Sequence, residues 1–328
     1  NICEKLSDGG DNEGMAEKIR RIGDTPLSIS VYSVEEAPTK INDRGILEII
    51  FCLKGRVRFS YAYEEFTLHA GEYISVDRDA YYLYGDGNNL LVSFYFDLAC
   101  YKSKYPFICN NLFVCEGLAE TAMDYPREEH RRLKGMLIAL LKFISENGSA
   151  EKVAGASERI VDMFVERFDI FFFHAGAGAG DKKGLAKLHE INDYLHSHMK
   201  EKVCIGDIAA RFNFTEGYMS EYLRKMSVGF RGMMSYIRAN ESETYLLRTN
   251  KTILEISEEC GFSDVKYYYS AFKRWYKCTP KQFREQYGKV SEEKIRYLDI
   301  IDTKDILEKL LTDHYMETYL FYSDGKIL

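Results

Sequence analysis

Residues 252–284 read TILEISEECGFSDVKYYYSAFKRWYKCTPKQFR. Ile253, Ile256 and Cys260 recur at helical spacing, and Gly261 can take a positive-φ turn. Ser263 can then cap a second helix carrying Tyr267, Tyr268, Ala271 and Phe272. This is the pattern of a helix-turn-helix. Its second helix also bears Lys266, Lys273 and Arg274, the charges needed near a phosphate backbone, and Thr279-Pro280 opens a further helix.

Working outward, the chain repeats itself. IAARFNFTEGYMSEYLRK (208–225) lies over ISEECGFSDVKYYYSAFKR (256–274), with Phe214 under Phe262 and Thr215 under Ser263. One residue is then inserted, after which Tyr218 meets Tyr267, Met219 meets Tyr268, Leu223 meets Phe272, and Arg224-Lys225 meets Lys273-Arg274. The retained positions read as core plus a basic helix end, as in two copies of one supersecondary unit. Residues 231–248 can run as one connecting helix, and residues 185–199 form an amphipathic helix ahead of the first copy.

The second copy resembles the DNA-binding motif of the AraC/XylS family of bacterial transcription regulators, roughly I-x-x-I-A-x-x-x-G-F-x(5)-F-x-x-x-F-K followed by T-P-x-x-[FY]-R. Ile253, Ile256, Gly261, Phe262, Tyr268, Phe272, Lys273, Thr279, Pro280, Phe283 and Arg284 occupy it. Departures are Ser257 for the usual Ala, Lys277 for the usual Gly, and Ala239 and Glu243 where the connecting helix usually has Arg and Ala. The resemblance implies promoter DNA as partner, with two recognition helices on successive major-groove faces, together with RNA polymerase and a homodimer. Exposed positions for base reading are Glu216, Gly217, Ser220 and Glu221 in the first helix, and Val265, Lys266, Tyr269 and Ser270 in the second. Thr215 and Ser263 stand at the helix starts, and Arg224, Lys225, Lys273 and Arg274 suit phosphate. Acidic Glu216 and Glu221 weaken the first face, so the second motif should carry more affinity. The bland alternative for Lys266 and Glu221 is solvated helix surface.

Charge follows this division. The chain of 328 residues carries net charge -7, yet residues 184–290 hold 17 Lys+Arg against 13 Asp+Glu, a local +4. The length suffices for two cores. The most apolar helical run, 135–144, is half of what a membrane span needs, and the start at Asn1 has no signal-peptide pattern and reads as a trimmed chain or fragment. Eight scattered cysteines without a CxxC pair suit reduced thiols in a cytoplasm. His196 and His198 fall on different helix faces, so neither a metal nor another cofactor is expected.

The first half has another character. After a polar arm (1–24), β-rich runs follow at 27–34, 46–53, 56–61, 65–68, 73–76, 81–84 and 90–96, separated by turn signals such as Lys54-Gly55 and Asp86-Gly87. The layout resembles the cupin-like effector domain that precedes the DNA-binding half in many AraC-family regulators. The fold class expected is α+β multidomain: a cupin-like β-barrel with two helices (25–173), an Ala/Gly linker (174–184), an all-α domain with two helix-turn-helix motifs (185–290), and a helical extension (291–328). Helices are expected at 126–146 and after a Ser157 cap; they either dimerise, as in similar regulators, or merely cover the barrel. HAGAGAGDKKG (174–184) reads as a flexible tether that lets the halves reorient.

Metal-dependent cupins need clustered histidines, and this region has His69 alone, so a cupin-type sugar-modifying enzyme is disfavoured and no catalysis is expected. Tyrosines and a few charges suit a small polar effector, such as a carbohydrate. The candidate ligand residues are Glu48, Arg58, Tyr61, Tyr63, His69, Asp77, Arg78, Tyr81, Tyr82 and Tyr84. Singly, each tyrosine reads equally as an amphipathic strand residue. An effector-independent activator whose barrel only dimerises is the alternative.

Overall fold

The computed structural model describes residues 18–61, 64–118, 127–170, 182–288 and 293–313. Runs rich in β-branched, aromatic and other apolar residues, bounded by turns, give the first half its strands; β4 alternates, whereas β3 and β8 are buried on both faces. These are β1 (Arg20–Arg21), β2 (Leu27–Glu36), β3 (Ile46–Lys54), β4 (Arg56–Tyr61), β5 (Glu64–His69), β6 (Tyr73–Val76), β7 (Tyr81–Tyr84), β8 (Leu90–Asp97) and β9 (Glu116–Gly117). They form one curled antiparallel sheet in the order β5-β4-β7-β2-β8-β3-β6-β9. On β3 the period of two separates two cores. Ile50 and Cys52 line the barrel interior with Val57, Phe59, Leu68 and Leu83. Leu47, Ile49, Phe51 and Leu53 face the helices.

Two helices cover that outer face, α1 (Arg127–Ser145) and α2 (Ala150–Arg167). Leu133, Leu137, Leu140, Leu141 and Ile144 of α1 and Ile160, Val161 and Phe164 of α2 are spent in this core. The covering role of the pair is what the structure shows. The N-cap of α2 is Ser149, and Ser157 lies buried inside the helix, so the expected cap is corrected by two turns. A serine can cap only from non-helical backbone, which Ser149 has and a mid-helix residue has not.

The second half is all helical: α3 (Lys182–Ser197), α4 (Ile205–Arg211), α5 (Glu216–Met226), α6 (Gly229–Arg248), α7 (Ile253–Glu259), α8 (Val265–Tyr276) and α9 (Pro280–Tyr287). Of the expected linker (174–184), residues 174–181 lie outside the described residues, and 182–184 are already helix. Burial is continuous across the junction of the halves: Leu112 and Ile170 join the core of α3 to α6, and Ala80 joins that of α6 to α9. The halves are therefore docked rather than free.

The expectation for the tail is corrected. Residues 294–297 are not helical but a strand, β10 (Lys294–Tyr297), antiparallel to β2 with Ile295 opposite Val34 and Tyr297 opposite Tyr32. A turn at 300–303 and α10 (Lys304–Asp313) then insert Ile300, Leu307 and Leu310 into the α1 core. The chain thus returns to the barrel after its helical half.

Candidate nucleic-acid interface and barrel site

Each helix-turn-helix is built from short-range chemistry. Thr252 caps α7 through a capping box with Glu255, and the Thr279–Gln282 box does the same for α9. The turns are equivalent: Asn213 and Gly261 both have positive φ, 58° and 78°. A Cβ on Gly261 would run into the Met199 carbonyl and Lys200 Cα, so glycine is required there twice over. Thr215 caps α5 by accepting the Tyr218 N–H, but α8 is capped by Asp264, which accepts the Lys266 N–H at 2.6 Å. Ser263 is therefore not the cap. It is the residue inserted in the second copy, and its exposed side chain precedes the helix.

The reading faces are open. Glu216, Gly217, Ser220 and Glu221 are exposed on α5, and Lys266, Tyr269 and Ser270 on α8, with Val265 half-buried. The basic residues Arg224, Lys225, Lys273 and Arg274 are exposed at the helix ends. Two residues read as core are not: Tyr218 is 53% and Tyr267 67% exposed, at matching positions of the two motifs. Helical spacing cannot tell a flanking aromatic from a buried one, whereas Met219 and Tyr268 beside them are wholly buried. The first face is weakened further, because Arg224 is held by Glu221 at 2.5 Å. No such pair ties Lys266 or Lys273 in the described structure.

A helix-turn-helix domain family model matches residues 208–286. Residues 208–286 are a helix-turn-helix domain of the AraC type. The urease operon transcriptional activator of Escherichia coli is 30% identical over 100 residues, 30% of this chain and 34% of that protein. An uncharacterized HTH-type transcriptional regulator of Staphylococcus aureus (strain COL) is 26% identical over 140 residues, 42% of this chain and 18% of that protein. The matches thus span 18% and 34% of those relatives' own length. Among solved structures, ToxT of Vibrio cholerae O395 is 15% identical with TM-score 0.42, over 81% of this chain and 99% of its own. The C-terminal domain of the response regulator yesN from Fusobacterium nucleatum is 29% identical with TM-score 0.28, over 30% and 97%.

The departures from the AraC/XylS pattern have structural roles. Lys277 closes α8 in the left-handed region with φ 55°, which explains the usual glycine. Glu243, fully buried on α6, accepts the Ala80 N–H across the junction at 2.8 Å and the Tyr276 hydroxyl within its own half. Asn240 donates to Asp79 at 3.1 Å. Burial and the neighbouring Asp79 hold the Glu243 carboxyl well above its ordinary range.

The eight candidate ligand residues with described side chains do not converge on one site. Tyr63 and the side chain of Tyr61 lie outside the described residues. Arg58 and Tyr84 pair on the outer surface, 5.2 Å apart, and His69 lines an open acidic groove of about 320 Å³ with Glu64, Glu65 and Glu72. Tyr82 packs on Tyr287 of α9. Asp77 and Arg78 are buried in the junction, where Arg78 Nε lies 4.0 Å from Asp77 Oδ1. Burial pushes Asp77 up to about 7 against the opposing Arg78 charge.

Among the described candidates, only Glu48 and Tyr81 meet inside the barrel. Tyr81 donates to Glu48 at 2.8 Å, and Asn42 donates at 3.0 Å. Lys40, Asn42, Tyr95 and Ser93 complete this site and were not foreseen. One signal existed for Tyr95, since strand alternation puts it on the inner face opposite Glu48. Burial raises the Glu48 pKa, but Lys40, Ser93 and Asn42 outweigh it and leave the carboxylate ionised. Among the described residues no group of His, Cys, Asp and Glu could hold a metal, and no helix is long and apolar enough to cross a membrane.

Proposed function

We propose that the chain is a sequence-specific DNA-binding transcription regulator whose barrel half responds to a small polar effector. The observation that carries this reading is the pair of matching motifs on one helix, α6, both with exposed reading faces. Two recognition helices so joined suit successive major-groove faces, about one helical turn apart. Tyr218 and Tyr267 join the phosphate-contacting set, each presenting a phenol at the start of its helix. As an activator it would also contact RNA polymerase. A homodimer would have to use a surface other than the apolar stripes of α1 and α2, which the sheet consumes.

Effector binding in the barrel would act by population shift, changing how the DNA-reading half is held. A carbohydrate is not favoured by the scattered tyrosines. Effector-independent activation is the second reading, favoured by the fact that Glu48 already has its partners within the chain. Footprinting on the upstream region of the neighbouring operon tests both. Two protected segments about 10 base pairs apart are expected; absence of sequence-specific protection refutes DNA reading, and protection indifferent to every small molecule favours the second reading.

A further inference from the structure

Residues 37–45 form a strap between β2 and β3, and Lys40 is fixed to β7 by two backbone hydrogen bonds. Its N–H donates to the Tyr81 carbonyl at 2.8 Å, and the Tyr81 N–H donates back at 3.0 Å. The side chain turns inward. Its Nζ donates to both oxygens of Glu48 at 3.1 and 3.0 Å and to the Tyr95 hydroxyl at 2.7 Å. It also lies 4.3 Å from the centre of the Tyr95 ring and 5.9 Å from that of Tyr81. A wholly buried carboxylate, a phenol oxygen and aromatic faces around one nitrogen are the elements that recognise an ammonium group.

The other side of the same strap is gripped by the connecting helix. Arg248 of α6 binds the Asp43 carboxylate at 3.0 Å and the Ile41 carbonyl at 2.9 Å, and Arg44 binds Glu241 of α6 at 2.7 Å. The strap is thus a short bridge between the barrel interior and the helix that joins the two motifs.

We propose that the barrel interior is a site for a primary alkylammonium ligand, that Lys40 is its resident occupant, and that a ligand amine replacing Lys40 loosens the strap from α6. The inference rests on the reading of the barrel as the effector-binding half, and names its ligand class. Lys40 suits such an exchange because its head sits on a flexible four-carbon stem and its side chain is 37% exposed, whereas Glu48 cannot leave. A neutral polyol taking the place of Lys40 would leave the buried Glu48 charge without a counter-ion, so the site selects for a cation. The space vacated is that of a butylammonium chain.

The test uses the full chain, n-butylammonium as probe, n-butanol and a pentose as neutral controls, and calorimetry, thermal melting, amide exchange and gel-shift DNA affinity as readouts. Lys40→Ala removes a tethered competitor of roughly millimolar effective concentration, so butylammonium should bind that variant at least about tenfold more tightly than wild type. The charge-neutral double variant Lys40→Ala/Glu48→Gln should lose this binding, and butanol should bind neither. If Lys40→Ala alone does not fold, butylammonium and not butanol should restore its melting transition. In wild type, saturating butylammonium should speed amide exchange in residues 41–45. Equal butylammonium affinity for the single and double variants, or none for Lys40→Ala, overturns the ammonium site. If a pentose binds wild type and butylammonium does not, the ligand class is wrong while the effector-binding reading stands; if DNA affinity responds to no small molecule, that reading falls with it.

Discussion

Lys277 ends α8 with φ 55°, a conformation that costs an L-residue about 1 kcal/mol and glycine nothing. Its ammonium recovers part of this by donating to the Arg274 carbonyl at 3.0 Å, a favourable use of a cation at a helix C-terminus. Lys277→Gly should therefore stabilise the chain modestly, by about 0.5–1 kcal/mol, read as a higher urea midpoint at unchanged slope. An unchanged or lower midpoint would show that the lost hydrogen bond outweighs the backbone relief. Gly261 gives the opposite sign. Its φ of 78° and the nearby Met199 carbonyl predict that Gly261→Ala lowers stability by more than about 1 kcal/mol, and circular dichroism melts would register it. The positive φ of Gly261 was readable from sequence because a turn is a local feature, whereas its close approach to Met199 was not, and at Lys277 only the family resemblance pointed to glycine. Glu243 is the contrary case. Its departure from the family pattern was visible, but its partner at Ala80 lies 163 positions away and no local rule reaches it.

At the scale of the element, the seven strands β2 to β8 and the described helices of the DNA-reading half were legible, since period-two and period-3.6 patterns are imposed by the core each element buries. β10 was not. Ile295 and Leu298 can be fitted to a helix, and four residues become a strand only because the β2 edge at Val34 and Tyr32 supplies the partners. The return of the tail carries a consequence for stability: Leu307 is fully buried against α1, so Leu307→Ala should cost about 2–5 kcal/mol and lower the melting temperature of the barrel half. A surface-like effect below about 0.5 kcal/mol would contradict the docked position of α10. The two recognition helices differ in the same concrete way. Arg224 on α5 must part from Glu221 before it reaches a phosphate, while among the described residues Lys266 and Lys273 on α8 have no acid to part from. Lys266→Ala should therefore weaken DNA binding more than Ser220→Ala at fixed salt, and Glu221→Gln should tighten it. Gel-shift titrations at one ionic strength compare all three, and a larger loss from Ser220→Ala would reverse the assignment.

Across the whole molecule, the barrel meets the DNA-reading half through buried ionisable groups, which ties docking to pH. Asp77 faces Arg78, Asp79 and Arg44 at the junction, His196 lies near the same two arginines, and Glu243 neighbours Asp79. Its carboxyl is raised from 3.8 to about 7 by burial. A raised carboxyl means that the docked state binds a proton which the separated or unfolded chain releases. Its contribution is complete below pH 3.8, declines as pH rises, and is lost once pH passes about 7. Glu243 acts in the same sense, also from burial. His196 and His130 act in the opposite sense, because burial lowers both and acid must charge them on unfolding. A raw pH profile therefore mixes opposing slopes, and the difference between two variants separates them. Asp77→Asn keeps a neutral group of the same shape, so the other titrations cancel in the comparison. The melting temperature of Asp77→Asn relative to wild type should rise between pH 5 and pH 7 and level off above about pH 8. A difference that does not change with pH would mean that Asp77 is already ionised in the docked state and that Arg78 neutralises it. The same series on Arg78→Met should then show the loss instead, since that substitution would leave the acidic residues of the junction without their buried cation.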